Sequence, residues 1–347
     1  MTAAALSTGA TGAGLPALGL GGLGLAAAGV WMGGTIPAEA SLFAFVLLAG
    51  IVMGSLGLLT IGHLMKEEWL APVRSEAEAA ALTAPALVVL ALPLLPVLGD
   101  LFPWAARAAP DLPPGRATFL TPTFFVARAA AYLALYSVLA LWLARTAAPR
   151  RASTIGLVLL VPTATFAGND WILSRDPSWW SSLFGFAFAV SQLLAALAAA
   201  ILVSLLRPEH PRPSRMQSLE RALLTLALLT FWIWFVHFIV VWLANLPNEA
   251  AWYLARAERL WLLTGVALPC LAMAVVILAP PGFGRRTMIA GSALLIVQHV
   301  GHTLWLMRIL PDFPGLLVIG GVVIAWTALF AALLRRRPTF ESERTEA

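Results

Sequence analysis

Charged residues, lysine and cysteine are all scarce in this sequence. Only 11% of its 347 residues are charged, against the roughly 25% that is typical of a soluble domain. With 60% hydrophobic residues and a mean hydropathy of +0.87, the chain has too few charges to cover a surface that faces water. The composition therefore excludes a soluble globular protein and predicts that most of the outer surface faces lipid.

The single cysteine, Cys270, lies in an apolar run. One cysteine cannot form an intrachain disulfide, ligate an iron–sulfur cluster or supply a CxxCH motif for covalent haem attachment. The sequence also lacks a phosphate-binding loop, a GxSxG motif and an HExxH motif. We therefore predict no metal site and no covalently bound cofactor. Metal-centred redox chemistry would need histidine ligands or a partner subunit.

Lysine is represented by Lys66 alone, so almost all of the positive charge comes from arginine. The arginines lie in short runs between apolar segments, which is the pattern of a membrane protein and not of a nucleic-acid-binding surface. We expect no nucleic acid as partner. The denser runs fall on one side of the predicted topology, which predicts that both termini are cytoplasmic. They comprise Lys66, Arg74, Arg145, Arg150, Arg151, Arg207, Arg212, Arg215, Arg221, Arg285, Arg286, Arg335, Arg336, Arg337 and Arg344.

Ten segments are long and apolar enough to cross a hydrocarbon core, which needs roughly 20 apolar residues per helix. Only helices are expected, because an open sheet edge would leave backbone groups unpaired in lipid. The third segment contains Pro85, Pro93 and Pro96 and is expected to be a kinked span. The sequence thus predicts one all-α polytopic membrane domain over residues 1–347, with spans at about 13–34, 41–65, 82–104, 119–144, 153–173, 180–206, 219–245, 259–279, 287–308 and 315–334.

Few ionisable residues fall inside these segments, where each costs roughly 2.5–3.5 kcal/mol on insertion scales. In the predicted topology they share the half of the membrane away from the termini, and His299 and His302 project from one helix face. We expect one polar pocket that opens outward between the fourth, fifth, seventh and ninth spans. A purely structural Arg128–Asp170 ion pair, and a backbone hydrogen bond for His237, are open alternatives. The pocket residues are Arg128, Asp170, His237, His299 and His302.

Tryptophans also gather near the outer ends of the predicted spans. Trp is enriched at membrane–water interfaces, so this distribution predicts an aromatic belt. Its members are Trp104, Trp171, Trp179, Trp180, Trp242, Trp252 and Trp305.

Three stretches resemble a known family. They are TPTFFVARAAAYL in the fourth span (Thr121–Leu133), NDWILSRDPSWWSSLFG after the fifth span (Asn169–Gly185), and FWIWFVHFIVVWLANLPNEAAWYLAR across the seventh span and the loop that follows (Phe231–Arg256). Together they resemble the ActF-like subunit of alternative complex III, a quinol:cytochrome c oxidoreductase. That subunit is a polysulfide-reductase-like (NrfD-like) membrane protein. The matching positions are Arg128, Asp170, Trp171, Asp176, Pro177, Trp242, Asn245, Pro247 and Glu249.

The resemblance implies ten spans in a bacterial inner membrane, arranged as two four-helix bundles plus flanking helices. It implies that an iron–sulfur subunit, c-type haem subunits and a sister ten-span membrane subunit are the partners. Those partners would take the electrons from quinol, and this chain would contribute scaffold and proton paths without a redox centre of its own. A quinol or quinone is the ligand that the resemblance allows.

The leading hypothesis is therefore a subunit of a respiratory quinol oxidoreductase. Quinol oxidation releases protons, which His299, His302 and Asp170 are suited to accept and relay, with Arg128 paired to Asp170. Two alternatives remain open. One is a b-type haem protein, with His237 and either His299 or His302 as axial ligands. The other is a proton-coupled secondary transporter that uses the same polar set.

Overall fold

The structure is a computed structural model that describes residues 14–33, 36–65, 69–146, 149–207, 213–280, 282 and 284–337. It is 84% helical, and the described residues contain no strand, which confirms the predicted all-α fold. The helices are α1 (Gly14–Trp31), α2 (Ile36–Leu64), α3 (Arg74–Ala81), α4 (Ala84–Ala91), α5 (Leu98–Leu101), α6 (Pro114–Phe119), α7 (Pro122–Leu143), α8 (Pro149–Trp171), α9 (Phe184–Leu206), α10 (Pro213–Ala244), α11 (Pro247–Leu254), α12 (Leu268–Leu278), α13 (Arg285–Met307) and α14 (Phe313–Leu334).

Among the described residues, nine helical segments are long and apolar enough to cross a membrane. A tenth span forms if Pro247–Arg259 and Leu262–Leu278, which meet at an angle of 71°, are counted together. These segments overlap the ten predicted ones, so a multi-pass membrane protein is confirmed. Residue 13 and residue 34, the outer bounds predicted for the first span, lie outside the described part of the chain, as do Lys66, Arg212 and Arg344.

The spans pack as two four-helix bundles with a flanking pair, as the resemblance implied. In the first bundle, α2 contacts α4, α7 and α8, and α7 packs on both α4 and α8. In the second, α9 packs against α10 and α13, and α12 joins α13 to α10. The two bundles meet where α9 packs against α2 and α8. Helices α1 and α14 form an antiparallel pair, and α14 packs against α2.

The junction of the two bundles depends on a small residue in α2. A Cβ placed on Gly54 would lie 2.7 Å from Cβ of Ala196 in α9, and it would clash with the carbonyl oxygen of Gln192. Close approach of two helix backbones through such a residue is how membrane helices gain packing contacts when lipid is as apolar as their side chains. Gly54 therefore sets the distance between the bundles.

The third span predicted at 82–104 lies earlier in the structure, where the long apolar helical segment runs from Ala71 to Leu94 and ends among the prolines. Helix α4 begins with Pro85 in its first turn, where a missing N–H costs nothing, and it gives way at Ala91 to a 3₁₀ turn that contains Pro93. The chain then turns through Pro96 and resumes as the short helix α5. The predicted kink is therefore a full interruption.

Candidate functional site

Arg128 in α7 and Asp170 in α8 form a two-pronged ion pair inside the first bundle. Nε of Arg128 donates to Oδ2 of Asp170, and Nη2 donates to Oδ1, both at 2.9 Å. The hydroxyl of Tyr132, one turn along α7, donates to Oδ2 at 3.0 Å. Asp170 is only 1% exposed, so its charge is balanced by hydrogen bonds and not by water.

The remaining faces of Arg128 are also occupied. Its Nη1 donates to the carbonyl oxygen of Phe119 at 2.9 Å. The guanidinium carbon lies 3.7 Å from the centroid of the Phe119 ring and 4.4 Å from that of Phe124, so the cation contacts two aromatic rings that are nearly perpendicular to each other. The pair is thus fully coordinated, as expected of a charged pair held within a membrane span.

A second group of polar residues lies in the other bundle, around the indole of Trp234 in α10. The ring centroid of Trp234 is 5.3 Å from that of His237 on the same helix and 4.7 Å from that of His302 in α13. Its Nε1 donates to the hydroxyl of Ser191 in α9 at 2.9 Å. The ring of His302 also stacks on Trp305, with 5.8 Å between centroids. Three helices of the second bundle thus meet at one indole.

His237 has a second partner in the segment that follows its own helix. Its Nδ1 lies 2.6 Å from the hydroxyl oxygen of Tyr253 in α11, and its other nitrogen, Nε2, is buried with no hydrogen-bond partner among the described residues. Nδ1 and the hydroxyl can exchange donor and acceptor roles as the imidazole changes tautomer. The hydrogen bond between His237 and Tyr253 can therefore form with either tautomer of the imidazole.

Other buried polar atoms continue this group along the second bundle. His299 is 4% exposed, and its Nε2 has no partner in the described residues. The same is true of the hydroxyls of Thr230 and Ser292 and of the amide oxygen of Gln192. Buried polar atoms of this kind usually bond to ordered water. The second bundle, unlike a purely apolar core, therefore offers sites for a chain of waters.

The side chains do not form the single pocket that the sequence predicted. Arg128 and Asp170 lie in the first bundle, and His237, His299 and His302 lie in the second. Helix packing separates them, because α7 and α8 belong to the first bundle and α10 and α13 to the second. Trp179, in the loop between α8 and α9, packs against the His237 ring, with 5.6 Å between ring centroids. A narrow cleft of about 20 Å³, room for about one water, lies between Asp170 and Trp179.

Most of the predicted aromatic belt is buried instead. Trp180 and Trp242 are 49% and 64% exposed, as expected of belt residues. The other five fill the space between helices at this end of the molecule, where Trp179 stacks on Trp252 at 4.8 Å and the Trp104 ring nitrogen donates to Ser174. We call it the tryptophan end, after these five residues, Trp104, Trp171, Trp179, Trp252 and Trp305.

Two arginines at the tryptophan end bind the end of α13. Arg256, 1% exposed, donates through Nε and Nη2 to the carbonyl oxygen of Leu306, at 3.1 and 2.9 Å, and through Nη2 to Asp176 at 2.7 Å. Arg175 donates to the carbonyl oxygen of Met307 and pairs with Glu39 at 2.5 Å. The last carbonyls of a helix lack partners within the helix, and its negative end attracts cations. These arginines therefore join α13 to both bundles.

The surroundings of His237 and His302 bear on the haem alternative. The described residues contain no group of three or more His, Cys, Asp or Glu side chains that could bind a metal ion. The Trp234 indole contacts both His237 and His302, so it occupies the space that a macrocycle between these two ligands would need. The b-type haem alternative does not fit this pair. No protein-family model matches the chain, and no curated protein is significantly similar to it.

Proposed function

We propose that the chain is a membrane subunit of a respiratory quinol:electron-acceptor oxidoreductase of the alternative complex III type. In this proposal it contributes scaffold, a quinol-associated region at the tryptophan end and a proton path in the second bundle. An iron–sulfur subunit, c-type haem subunits and a sister ten-span subunit carry the electrons.

The observation that carries the proposal is that the three stretches behind the family resemblance touch one another. Arg128 of the first stretch pairs with Asp170 of the second. Asp176 of the second stretch pairs with Arg256 of the third at 2.7 Å. The stretches are far apart in the sequence, and neighbouring positions in space are what a shared docking or reaction surface requires. Their contact supports one functional region at the tryptophan end.

The polar interior of the second bundle supports the proton path. On α10, Glu220 and His237 are both buried and are about 25 Å apart along the helix axis at 1.5 Å per residue. Thr230, Ser292 and His299 of the same bundle each have a buried side-chain atom with no hydrogen-bond partner among the described residues. Buried ionisable residues within membrane spans are costly and commonly mark proton relays. In this path His237 takes up a proton at Nε2 and passes its Nδ1 proton to the hydroxyl of Tyr253, which gives its own proton to water.

The first bundle has a different part in the proposal. Its ion pair is already saturated by Arg128 and Tyr132, so Asp170 serves chiefly to hold α7 against α8 beneath the α8–α9 loop. The sequence predicted a relay of His299, His302 and Asp170; the proposal keeps the histidines and leaves Asp170 out of it.

The proposal places the protein in a bacterial inner membrane with both termini in the cytoplasm. The end opposite the tryptophan end carries Arg74, Arg207, Arg285 and Arg337 among its described residues. Arg207 and Arg337 pair with Glu76 and Glu78 at 2.8 and 2.9 Å. A cytoplasmic position for this end agrees with the positive-inside rule.

The proposal is tested by quinol-driven reduction of cytochrome c in native membranes. Membranes from cells that lack the chain should lose this activity, and a plasmid-borne copy should restore it. Equal activity with and without the chain would contradict the proposal. Loss of uptake of a small solute, with cytochrome c reduction intact, would favour the transporter alternative instead.

A further inference from the structure

A large apolar cavity in the first bundle has no part in the proposed function. It has a volume of about 360 Å³ and lies between α2, the broken third span and α7. Phe45 and Trp171 close its inner side, where their ring centroids are 4.9 Å apart. Among the described residues that line it, Trp171 has the only polar side-chain atom.

The cavity exists because the third span stops. A helix continued beyond Ala91 would place further side chains between α2 and α7, but the chain instead leaves the helix at Leu92 and forms α5 only from Leu98. The backbone at the break remains bonded, with Leu95 N donating to Leu92 O and Leu101 N donating to Val97 O, both at 3.2 Å. Local hydrogen bonds of this kind allow non-helical backbone at membrane depth.

The cavity opens to the outer surface of the bundle, which faces lipid. Val88, Leu92 and Leu95 at its rim are 43%, 56% and 46% exposed. On the other rim, Ala130 and Ala134 of α7 are also exposed. Small residues on one side and a helix break on the other leave a lateral entrance between α4 and α7.

The lining selects the chemistry of the occupant. A lipid headgroup, a quinone ring or a row of waters would lose its hydrogen bonds to water on entering the cavity, and the apolar lining could replace almost none of them. An apolar cavity that opens to the bilayer fills with hydrocarbon, because the side chains that line an empty cavity lose their van der Waals contacts. Its occupant is therefore a flexible, apolar chain.

We propose that this cavity binds one hydrocarbon chain of a membrane lipid, which enters sideways between α4 and α7 and ends against Phe45, Phe102 and Trp171. The chain is an isoprenoid tail or a fatty acyl tail, since both are flexible and apolar. The inference is independent of the respiratory role and holds equally for a transporter.

The test is photo-crosslinking of the full-length protein, purified in native-lipid nanodiscs. Two probes are used in separate samples: an isoprenoid quinone with a diazirine in its tail, and a phosphatidylglycerol with a diazirine in one acyl chain. Labelled peptides are mapped by mass spectrometry. We expect labels within residues 88–98 and 125–134 from one or both probes. Labelling by the isoprenoid probe alone identifies the tail as isoprenoid, and labelling by the acyl probe alone identifies it as acyl.

Two variants separate the cavity from the general lipid surface. Ala130→Trp places an indole in the cavity, while Ala131→Trp places the same indole on the neighbouring exposed position of α7, outside the lining. Labelling in the two peptides should fall by about tenfold in the first and stay unchanged in the second. Ala134→Leu, a smaller intrusion, should give a partial decrease if Ala130→Trp does not fold. Absence of label from these peptides with both probes, or equal labelling in all variants, would overturn the proposal.

Discussion

Arg128 and Asp170 face each other across α7 and α8 with two parallel hydrogen bonds of 2.9 Å. The geometry is that of a guanidinium fork on a carboxylate, which is the strongest form of protein ion pair. Asp170 is 1% exposed, and the Arg128 side chain is 10% exposed, so both charges are largely shielded from bulk water. The pair therefore holds α7 and α8 together in the first bundle.

This arrangement predicts strongly coupled effects of substitution. Asp170→Leu leaves the Arg128 cation buried without its partner and should lower the free energy of unfolding by about 3–5 kcal/mol. The double variant Arg128→Met/Asp170→Leu should be closer to the wild type than either single variant, because no charge is left alone. Thermal unfolding in detergent measures all three. Additive losses would show that the two residues act separately.

A second prediction concerns the arginine that binds the end of α13. Arg256→Gln removes the donors to Leu306 and leaves Asp176 with Arg308 at 3.0 Å as its remaining cation. We expect a loss of about 3 kcal/mol, since a fully buried hydrogen-bonded charge is removed. Arg259→Gln is the matched control. Arg259 contacts Glu258 at 3.8 Å, with Glu258 90% exposed, so its replacement should change the unfolding temperature little. Equal effects of both substitutions would contradict the capping role.

A third prediction concerns proton transfer at the tryptophan end. Tyr253→Phe keeps the ring in place but removes the hydroxyl that lies 2.6 Å from His237. If this pair relays protons, quinol-driven cytochrome c reduction by the assembled complex should fall about tenfold or more. His237→Phe should give a similar loss, and the double variant should be no worse than the single ones.

The control for this prediction lies on the same helix. Phe235 is 47% exposed and packs on Phe231, away from the histidines, so Phe235→Leu should leave turnover unchanged. Wild-type turnover in Tyr253→Phe, in a complex whose subunit composition is intact, would exclude this pair from the proton path.

A fourth prediction concerns orientation. In a Cys270→Ala background, a cysteine at Ser181 lies in the α8–α9 loop at the tryptophan end, and a cysteine at Arg286 lies at the start of α13 at the opposite end. We expect a membrane-impermeant maleimide, added to spheroplasts, to label the Ser181→Cys protein. The Arg286→Cys protein should be labelled only after the membrane is permeabilised. The reverse pattern would show that the termini are not cytoplasmic.

The spans were predictable from the sequence because each is an unbroken apolar run of the length that a bilayer demands. The third was the exception in detail. Its prolines indicated a kink. Whether a proline kinks a helix or ends it depends on which groups then bond the carbonyls that it leaves without a donor. At Pro93 the helix ends in a 3₁₀ turn. The cavity beside α7 follows from the end of the helix at Pro93.

The Arg128–Asp170 pair was also within reach of the sequence, since opposite charges in neighbouring spans have few other partners. The separation of the histidines from this pair was not. Depth along each helix can be read from the sequence, whereas the side on which a helix packs depends on tertiary contacts, and Trp179 and Trp234 determine it here.

The roles of Arg175 and Arg256 were missed for a related reason. In a loop, an arginine that faces water and one that caps a distant helix look the same. One signal was present: the last turn of α13 contains no basic residue of its own that could bind its final carbonyls. Trp252 is equally ambiguous in the sequence, because a tryptophan at the end of a span can lie in an aromatic belt at the membrane surface or be buried between helices.

The subunit composition of the complex that contains this chain decides whether it is part of a respiratory oxidoreductase. The tagged protein is extracted from native membranes in a mild detergent and its partners are identified by mass spectrometry. The account predicts co-purification of an iron–sulfur subunit, c-type haem subunits and a sister ten-span subunit, in constant ratio. Recovery of the chain by itself, under conditions that keep other respiratory complexes whole, would contradict it.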